Sequence, residues 1–155
     1  MLFRSLADGP VIQRASGKAL ASNTTRTGTL GMVARVRSRL QAPVVIFSYF
    51  NLILALGIEE FAAQASGAGV DGVLALDLPI EEAGEFRIIM MEAGIDTIFL
   101  LSPTTTEKRI SKAAELGQGF LYGISRLGVT GVRNQIADGA ERMTKRIRAL
   151  TDMPL

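Results

Sequence analysis

The feature that most constrains this fold is a repeat of short, continuously apolar segments, each introduced by a turn containing Gly or Pro. Their spacing of roughly 25 residues is the length of one strand, one helix and two loops. The apolar residues are continuous, as in parallel strands that are covered on both faces, and do not alternate with polar ones. The four segments are Arg39–Asn51 (the loosest copy), Gly67–Pro79, Glu92–Pro103 and Glu115–Ser125.

Helical patterns fill the intervals between the predicted strands VVIF, VLAL, IFLL and FLY. Apolar residues recur there at helical spacing, and the acidic first turn of one helix suits the helix dipole. Thr104 and Glu107 have the spacing of a capping box, and the pair Met90 and Met91 is expected in the core. The predicted helices cover residues 11–20, 30–40, 58–66, 80–93, 104–116 and 137–150.

Strands that alternate with helices predict an α/β fold with parallel strands. An open doubly wound sheet and a (β/α)8 barrel are the two possible closures. No Gly-x-Gly-x-x-Gly or Walker sequence follows a strand, which disfavours the open nucleotide-binding sheet, and the near-constant repeat favours the barrel. Since a whole barrel takes about 250 residues, we expect a partial barrel of about four strands with flanking helices, forming one incomplete domain over residues 1–155.

The composition excludes several kinds of chemistry. The chain has no Cys and no His, which removes disulfides, thiolate nucleophiles, thiolate metal sites, the commonest zinc ligand and Ser-His mechanisms. The cations exceed the acidic residues by only two and do not cluster, so we expect no nucleic-acid binding. No apolar run approaches a membrane span, and no signal peptide is recognisable. We therefore expect a cytoplasmic protein without a membrane association.

Candidate functional residues follow the predicted strands, because barrel chemistry lies at the carboxyl ends of the strands. Tyr49 and Asn51 follow the first strand, where an aromatic and an amide suit either a pocket for a planar ligand or a packed barrel top. Asp77 follows the second strand and either acts as a base or holds a loop in place. The sequence alone leaves these alternatives open.

Two further segments are candidates. In LADGP, Asp8 precedes Pro10 and could be an ordinary helix N-cap with Pro in the first turn or a functional carboxylate. In RLGVTG, Gly128, Thr130 and Gly131 suit unusual backbone geometry in a loop long enough to be functional.

Together these segments resemble the tryptophan synthase alpha subunit family. LADGPVIQRAS, FSYFN, GVDGVLALDLPIEEAGEFR and FLYGISRLGVTG occur in that family in this order and spacing, from about Leu6 to Leu155. The resemblance implies a (β/α)8 barrel and a lyase of tryptophan biosynthesis. It implies retro-aldol cleavage of indole-3-glycerol phosphate to indole and glyceraldehyde 3-phosphate, without metal or cofactor. The indole passes to a beta subunit, which binds the pyridoxal phosphate.

The resemblance also implies roles for individual residues. Asp8 matches the catalytic aspartate that hydrogen-bonds the indole N–H, and Thr130 and Gly131 match a loop whose threonine bonds that aspartate. Asn51 and Gly128 match positions at the beta-subunit interface. The matching substrate-binding positions are Ile12, Phe47, Tyr49, Leu74 and Leu76 around the indole and Tyr122 near the glycerol phosphate.

The sequence departs from the family pattern at three places. The stretch MLFRSL replaces the family's Pro-Phe-Ser-Asp-Pro-Leu run. The family's second catalytic carboxylate, a glutamate acting as general acid, belongs to a strand before LADGP. Its glycine-rich phosphate loops belong beyond DMPL, where the next strand is expected to begin. These departures predict little or no activity for this polypeptide alone.

Two other functional interpretations follow. One is a non-catalytic remnant of an alpha subunit, an interaction module that still binds the beta subunit. The other is a fragment of an unrelated phosphosugar barrel, which the pairing of LADGP with RLGVTG disfavours.

Overall fold

A computed structural model describes residues 9–124 and 139–155 of the chain, except for the side chain of Arg26. Helices and short strands alternate along these residues. The helices are α1 (Pro10–Ala21), α2 (Arg26–Arg37), α3 (Phe50–Leu54), α4 (Ile58–Ala68), α5 (Gly84–Glu92), α6 (Glu107–Leu116) and α7 (Gly139–Arg148), with a 3-10 turn at Ile80–Glu82. The strands are β1 (Val45–Ser48), β2 (Gly72–Ala75), β3 (Asp96–Thr97), β4 (Leu100–Leu101) and β5 (Tyr122–Gly123).

All strand pairs among the described residues are parallel, which confirms the class predicted from the continuous apolar runs. β2 lies between β1 and β3, and β4 pairs with β5. Parallel neighbours need a crossover between them, and helices α4, α5 and α6 provide these crossovers.

The predicted strand IFLL is divided in the structure. β3 begins earlier, at Asp96, and Ile98 and Phe99 lie between β3 and β4. The hydrogen-bond ladder nevertheless continues through them, because Ile98 N–H donates to Val73 O at 2.9 Å and Tyr122 N–H donates to Phe99 O at 2.9 Å. The two short strands therefore act as one strand that joins β2 to β5.

Two clusters of buried side chains hold the helices against the outer face of the sheet. The first joins α2, α4 and α5 to the sheet around Val73 and Phe86, and the second joins α6 and α7 to it around Phe99, Leu101 and Ile147. Full burial of one large apolar side chain stabilises the fold by about 1.5–3 kcal/mol. The core therefore lies between the sheet and its helices.

The structure corrects three details of the predicted helices. The helix predicted for residues 80–93 is a 3-10 turn followed by α5. The cap of α6 is Thr106, whose hydroxyl accepts the N–H of Arg109 at 3.4 Å, and the predicted Thr104 cap was wrong. Met90 is buried as expected, but Met91 is 47% exposed.

A network of polar contacts closes the end of the sheet at which the strands begin. Arg37 donates to Asp71 at 2.9 Å and to Ala42 O at 3.0 Å, and Asp71 also accepts the N–H of Val44 at 2.7 Å. Gly69 ends α4 with a φ of +80° and lies against the Arg37 side chain. The network thus links α2, the approach to β1 and the approach to β2.

Candidate functional site

The candidate site lies where the parallel strands end, because their carboxyl ends meet at one edge of the sheet. Tyr49 follows β1, Leu76 and Asp77 follow β2, and Ser102 follows β4. The N–H of Leu76 donates to Ser48 O at 2.9 Å, so the ladder between β1 and β2 extends to this edge.

An aromatic contact across the sheet shows that the sheet curves. The rings of Phe47 on β1 and Tyr122 on β5 meet edge to face, with centroids 5.6 Å apart. These strands are separated by three strand spacings, about 14 Å in a flat sheet. The two rings can meet only because the sheet curls towards the face that carries them. We call this face, opposite the helices, the inner face.

The register of the strands assigns other apolar residues to the inner face. Leu74 is the partner of Phe47 in the pairing of β1 with β2, and Leu100 is the partner of Tyr122. Leu74 is 1% exposed. Leu76 is two residues farther along and half-buried, so strand alternation places it on the same side. Of the predicted indole positions, the structure thus places Phe47, Leu74 and Leu76 on the same face as Tyr122, and Phe47 contacts it.

The inner face is nevertheless open to solvent. Phe47 is 52% and Tyr122 39% exposed. A cavity of about 600 Å³ lies at the end of this face where the strands begin, with Val45, Ile98 and Phe120 among its lining residues. A second cavity of about 250 Å³ lies between β5 and α7, with Tyr122, Met143 and Leu155 among its lining residues.

The loop after β1 forms the short helix α3, which sequence analysis did not predict. Tyr49 is its half-buried N-cap residue and Asn51 an exposed residue of its first turn. The Asp77 carboxylate accepts the N–H of Phe50 at 2.5 Å. Asp77 therefore holds the loop after β1 in place, and holding a loop is one of its two predicted roles.

The remaining predicted residues are Ile12 and four residues that the structure does not describe. Ile12 lies on α1 and is 45% exposed, and none of the described residues of α1 is buried. Asp8, Gly128, Thr130 and Gly131 lie outside the described residues.

Sequence reasoning missed Arg146 of α7 as a residue of this edge. Its guanidinium donates to Pro103 O at 3.1 Å and to Thr105 O at 2.8 Å, and so holds the loop between β4 and α6 against α7. Nothing in the sequence distinguishes this arginine from its basic neighbours, because its acceptors are backbone oxygens more than 40 residues away.

The charged groups nearest this edge are engaged in structural contacts. Glu81, in the 3-10 turn after β2, has a pKa below its ordinary value because its own backbone N–H stabilises the carboxylate, and Arg109 adds to this at 2.9 Å. Within the described residues, no three Asp or Glu side chains gather as metal ligands would. The described part of the site is therefore an apolar and aromatic wall that suits a planar ligand.

Comparison with known proteins assigns the chain to a family. The family model for the tryptophan synthase alpha chain matches residues 4–155. The tryptophan synthase alpha chain of Geobacter sulfurreducens is 49% identical over 150 residues, and that of Geotalea daltonii is 46% identical over 150 residues. In both comparisons the match covers 97% of this chain and 57% of the relative, so the chain spans less than two thirds of their length.

Solved structures give the same result. A structure of the tryptophan synthase α2β2 complex from Pyrococcus furiosus superimposes with a TM-score of 0.89 at 33% identity, covering 98% of this chain and 61% of the other. The tryptophan synthase of Mycobacterium tuberculosis gives a TM-score of 0.87 at 33% identity, covering 99% and 58%. These likenesses confirm the predicted partial (β/α)8 barrel. No helix of the described residues is both long and apolar enough to cross a membrane.

Proposed function

The chain belongs to the tryptophan synthase alpha chain family, and from that membership we propose that it binds indole-3-glycerol phosphate and cleaves it to indole and glyceraldehyde 3-phosphate. This retro-aldol reaction breaks the bond between C3 of the indole and the glycerol chain. It belongs to tryptophan biosynthesis.

The observation that carries this proposal is the aromatic and apolar inner face. Phe47 and Tyr122 meet at 5.6 Å beside Leu74, and aromatic rings prefer such edge-to-face and offset contacts with a further ring. An indole ring bound here would cover side chains that are now open to water. Burial of such apolar surface is worth about 25 cal/mol per Å².

We assign the chemistry to the residues named by the resemblance. Asp8 would accept a hydrogen bond from the indole N–H and stabilise the positive charge that develops on nitrogen as C3 is protonated. Tyr49, Ile12 and Leu76 would line the indole pocket with Phe47 and Leu74. Tyr122 would lie near the glycerol phosphate, and Thr130 and Gly131 would belong to a loop that closes over Asp8.

The partner in this proposal is a tryptophan synthase beta subunit, contacted through Asn51 and Gly128. The P. furiosus relative is described as an α2β2 complex, which supports this choice. The cleavage itself would need no metal or cofactor, since the pyridoxal phosphate belongs to the beta subunit. The cytoplasmic location stays a prediction.

Indole binding tests whether the inner face is the indole site. The chain has two tyrosines, so selective ¹³C labelling of tyrosine rings gives separate reporters at Tyr49 and Tyr122 during an indole titration. We expect both ring signals to shift, and Phe47→Ala to weaken binding about tenfold, or 1.4 kcal/mol. Ile88→Ala, at a residue exposed on α5, is the matched control and should bind normally. No shift of either tyrosine in the wild type would overturn the proposed indole site.

Catalysis needs a separate measurement. Indole release from indole-3-glycerol phosphate is followed for the chain alone and with a family beta subunit. Turnover that is lost in Asp8→Asn supports the role of Asp8, whereas equal turnover in that variant contradicts it. Binding to the beta subunit without any turnover would support the non-catalytic interaction module.

A further inference from the structure

Helix α3 has only five residues and no side-chain cap of its own. Its N-cap residue, Tyr49, has extended backbone angles (φ −79°, ψ 140°) and gives the helix no side-chain hydrogen bond. A helix leaves its first N–H groups without partners inside the helix. Short helices are also marginal in water without tertiary support. The position of α3 must therefore be set by contacts from outside it.

Asp77 supplies the missing cap from the loop that follows the neighbouring strand, β2. Its Oδ1 accepts the N–H of Phe50, the first residue of α3, at 2.5 Å across a sequence separation of 27 residues. The acceptor is a carboxylate oxygen that lies at the positive end of the helix dipole, where negative charge is stabilising. The contact joins the loop after β2 to the loop after β1 at the carboxyl edge of the sheet.

Phe50 is also held through its ring. The ring packs edge to face against Phe86 of α5, with centroids 5.4 Å apart at 84°. Phe86 is buried in the first core cluster. Phe50 is therefore fixed at its backbone by Asp77 and at its ring by the core, and its two neighbours in the chain are Tyr49 and Asn51.

We propose that Asp77 is a positioning residue, which caps α3 in place of a local side chain and thereby sets the position of Tyr49 relative to the inner face. This inference rests on the proposed function, because it is the proposed function that assigns Tyr49 to the indole pocket. Asp77 is exposed, so the core does not depend on it and its variants should fold.

The experiment uses the tyrosine-labelled full chain, first without ligand and then with indole. Asp77→Ala should move the Tyr49 ring signal, leave the Tyr122 signal in place, and weaken indole binding about tenfold, within the range of a lost N-cap. Asp77→Asn keeps an acceptor oxygen and should restore most of both effects. Asp152→Ala, which removes another exposed aspartate, should change neither signal.

The outcomes separate this inference from the proposed function. A Tyr49 signal that is unchanged in Asp77→Ala overturns the positioning role, as does an equal movement of both tyrosine signals, which would mean a general loss of packing. If indole shifts neither tyrosine in the wild type, the proposed function fails, while the ligand-free spectra still decide the role of Asp77. Normal indole binding by Asp77→Ala would show that the cap does not serve the pocket.

Discussion

At the scale of single residues, the start of α6 shows how local chemistry chooses between similar side chains. Thr106 accepts the N–H of Arg109, whereas the Thr104 hydroxyl contacts Ser102 Oγ at 3.0 Å. Thr106→Ala should therefore lower the free energy of unfolding by about 0.5–1 kcal/mol. Thr104→Ala is the control and should stay within about 0.5 kcal/mol of wild type. Urea denaturation measures both, and equal losses would contradict the assignment of the cap.

Glu81 gives the chain a pH dependence of defined sign. Its pKa is lowered in the folded state by its own backbone N–H and by Arg109, so the carboxylate contributes stability above its ordinary pKa of 4.5 and loses it as the pH falls through the lowered value. The difference in melting temperature between wild type and Glu81→Gln should be larger at neutral pH than below the lowered pKa. Glu115→Gln, at an exposed position of α6, is the comparison variant. A difference that does not change with pH would refute this role.

Residue burial was predictable only in part. Met90 and Met91 are adjacent on α5, and helical geometry turns their side chains about 100° apart, so only one can reach the core. Both residues are methionines, so the residue type does not distinguish them, whereas in the structure Met90 is buried and Met91 is exposed. A strict count of the helical period would have separated them.

At the scale of elements, two glycines near the end of α4 should respond oppositely to alanine. Gly69 has a φ of +80°, and an added Cβ would lie 2.7 Å from Arg37 Cγ, so Gly69→Ala should destabilise the chain by about 1–2 kcal/mol. Gly67 lies within the helix with nothing within 4 Å, and Gly67→Ala should stabilise it by about 0.5–1 kcal/mol. Thermal unfolding compares the two variants. A shift in the same direction for both would rule out this interpretation of α4's end.

The elements that sequence analysis predicted are those whose signal is local. The apolar runs of β1 and β2 lie within a few residues of the sequence, and both strands were found. Helix α3 was missed because it has five residues, and its cap comes from Asp77, 27 positions away. The division of IFLL was missed because β3 pairs with β2 while β4 pairs with β5, and a single strand's sequence does not encode which neighbour it meets.

At the scale of the whole molecule, the contact of Phe47 with Tyr122 depends on the curvature of the entire sheet. The family resemblance assigned both residues to a substrate site, but no sequence pattern predicts that their rings touch. Asp8, Thr130 and Gly131 keep their predicted roles as proposals, since they lie outside the described residues.

The open inner face should be detectable in solution. Exposed apolar surface of this kind binds hydrophobic dyes and favours association. Phe47→Asp should reduce both anilinonaphthalene sulfonate fluorescence and light scattering, whereas Ile88→Asp, at a comparably exposed residue of α5, should change them less. Equal reductions would mean that the dye does not report on the inner face.

The hydrogen bond from Leu121 N–H to Pro154 O, at 2.8 Å, affects how such association could proceed. It brings the last residues of the chain alongside β5, on the side that faces away from β4. Among the described strands, β1 lies at the other edge of the sheet. Assembly through backbone pairing needs two free sides per molecule in order to propagate and only one in order to stop at a pair. Loss of the contact between Leu121 and Pro154 would therefore expose backbone groups beside β5 to pairing with another strand.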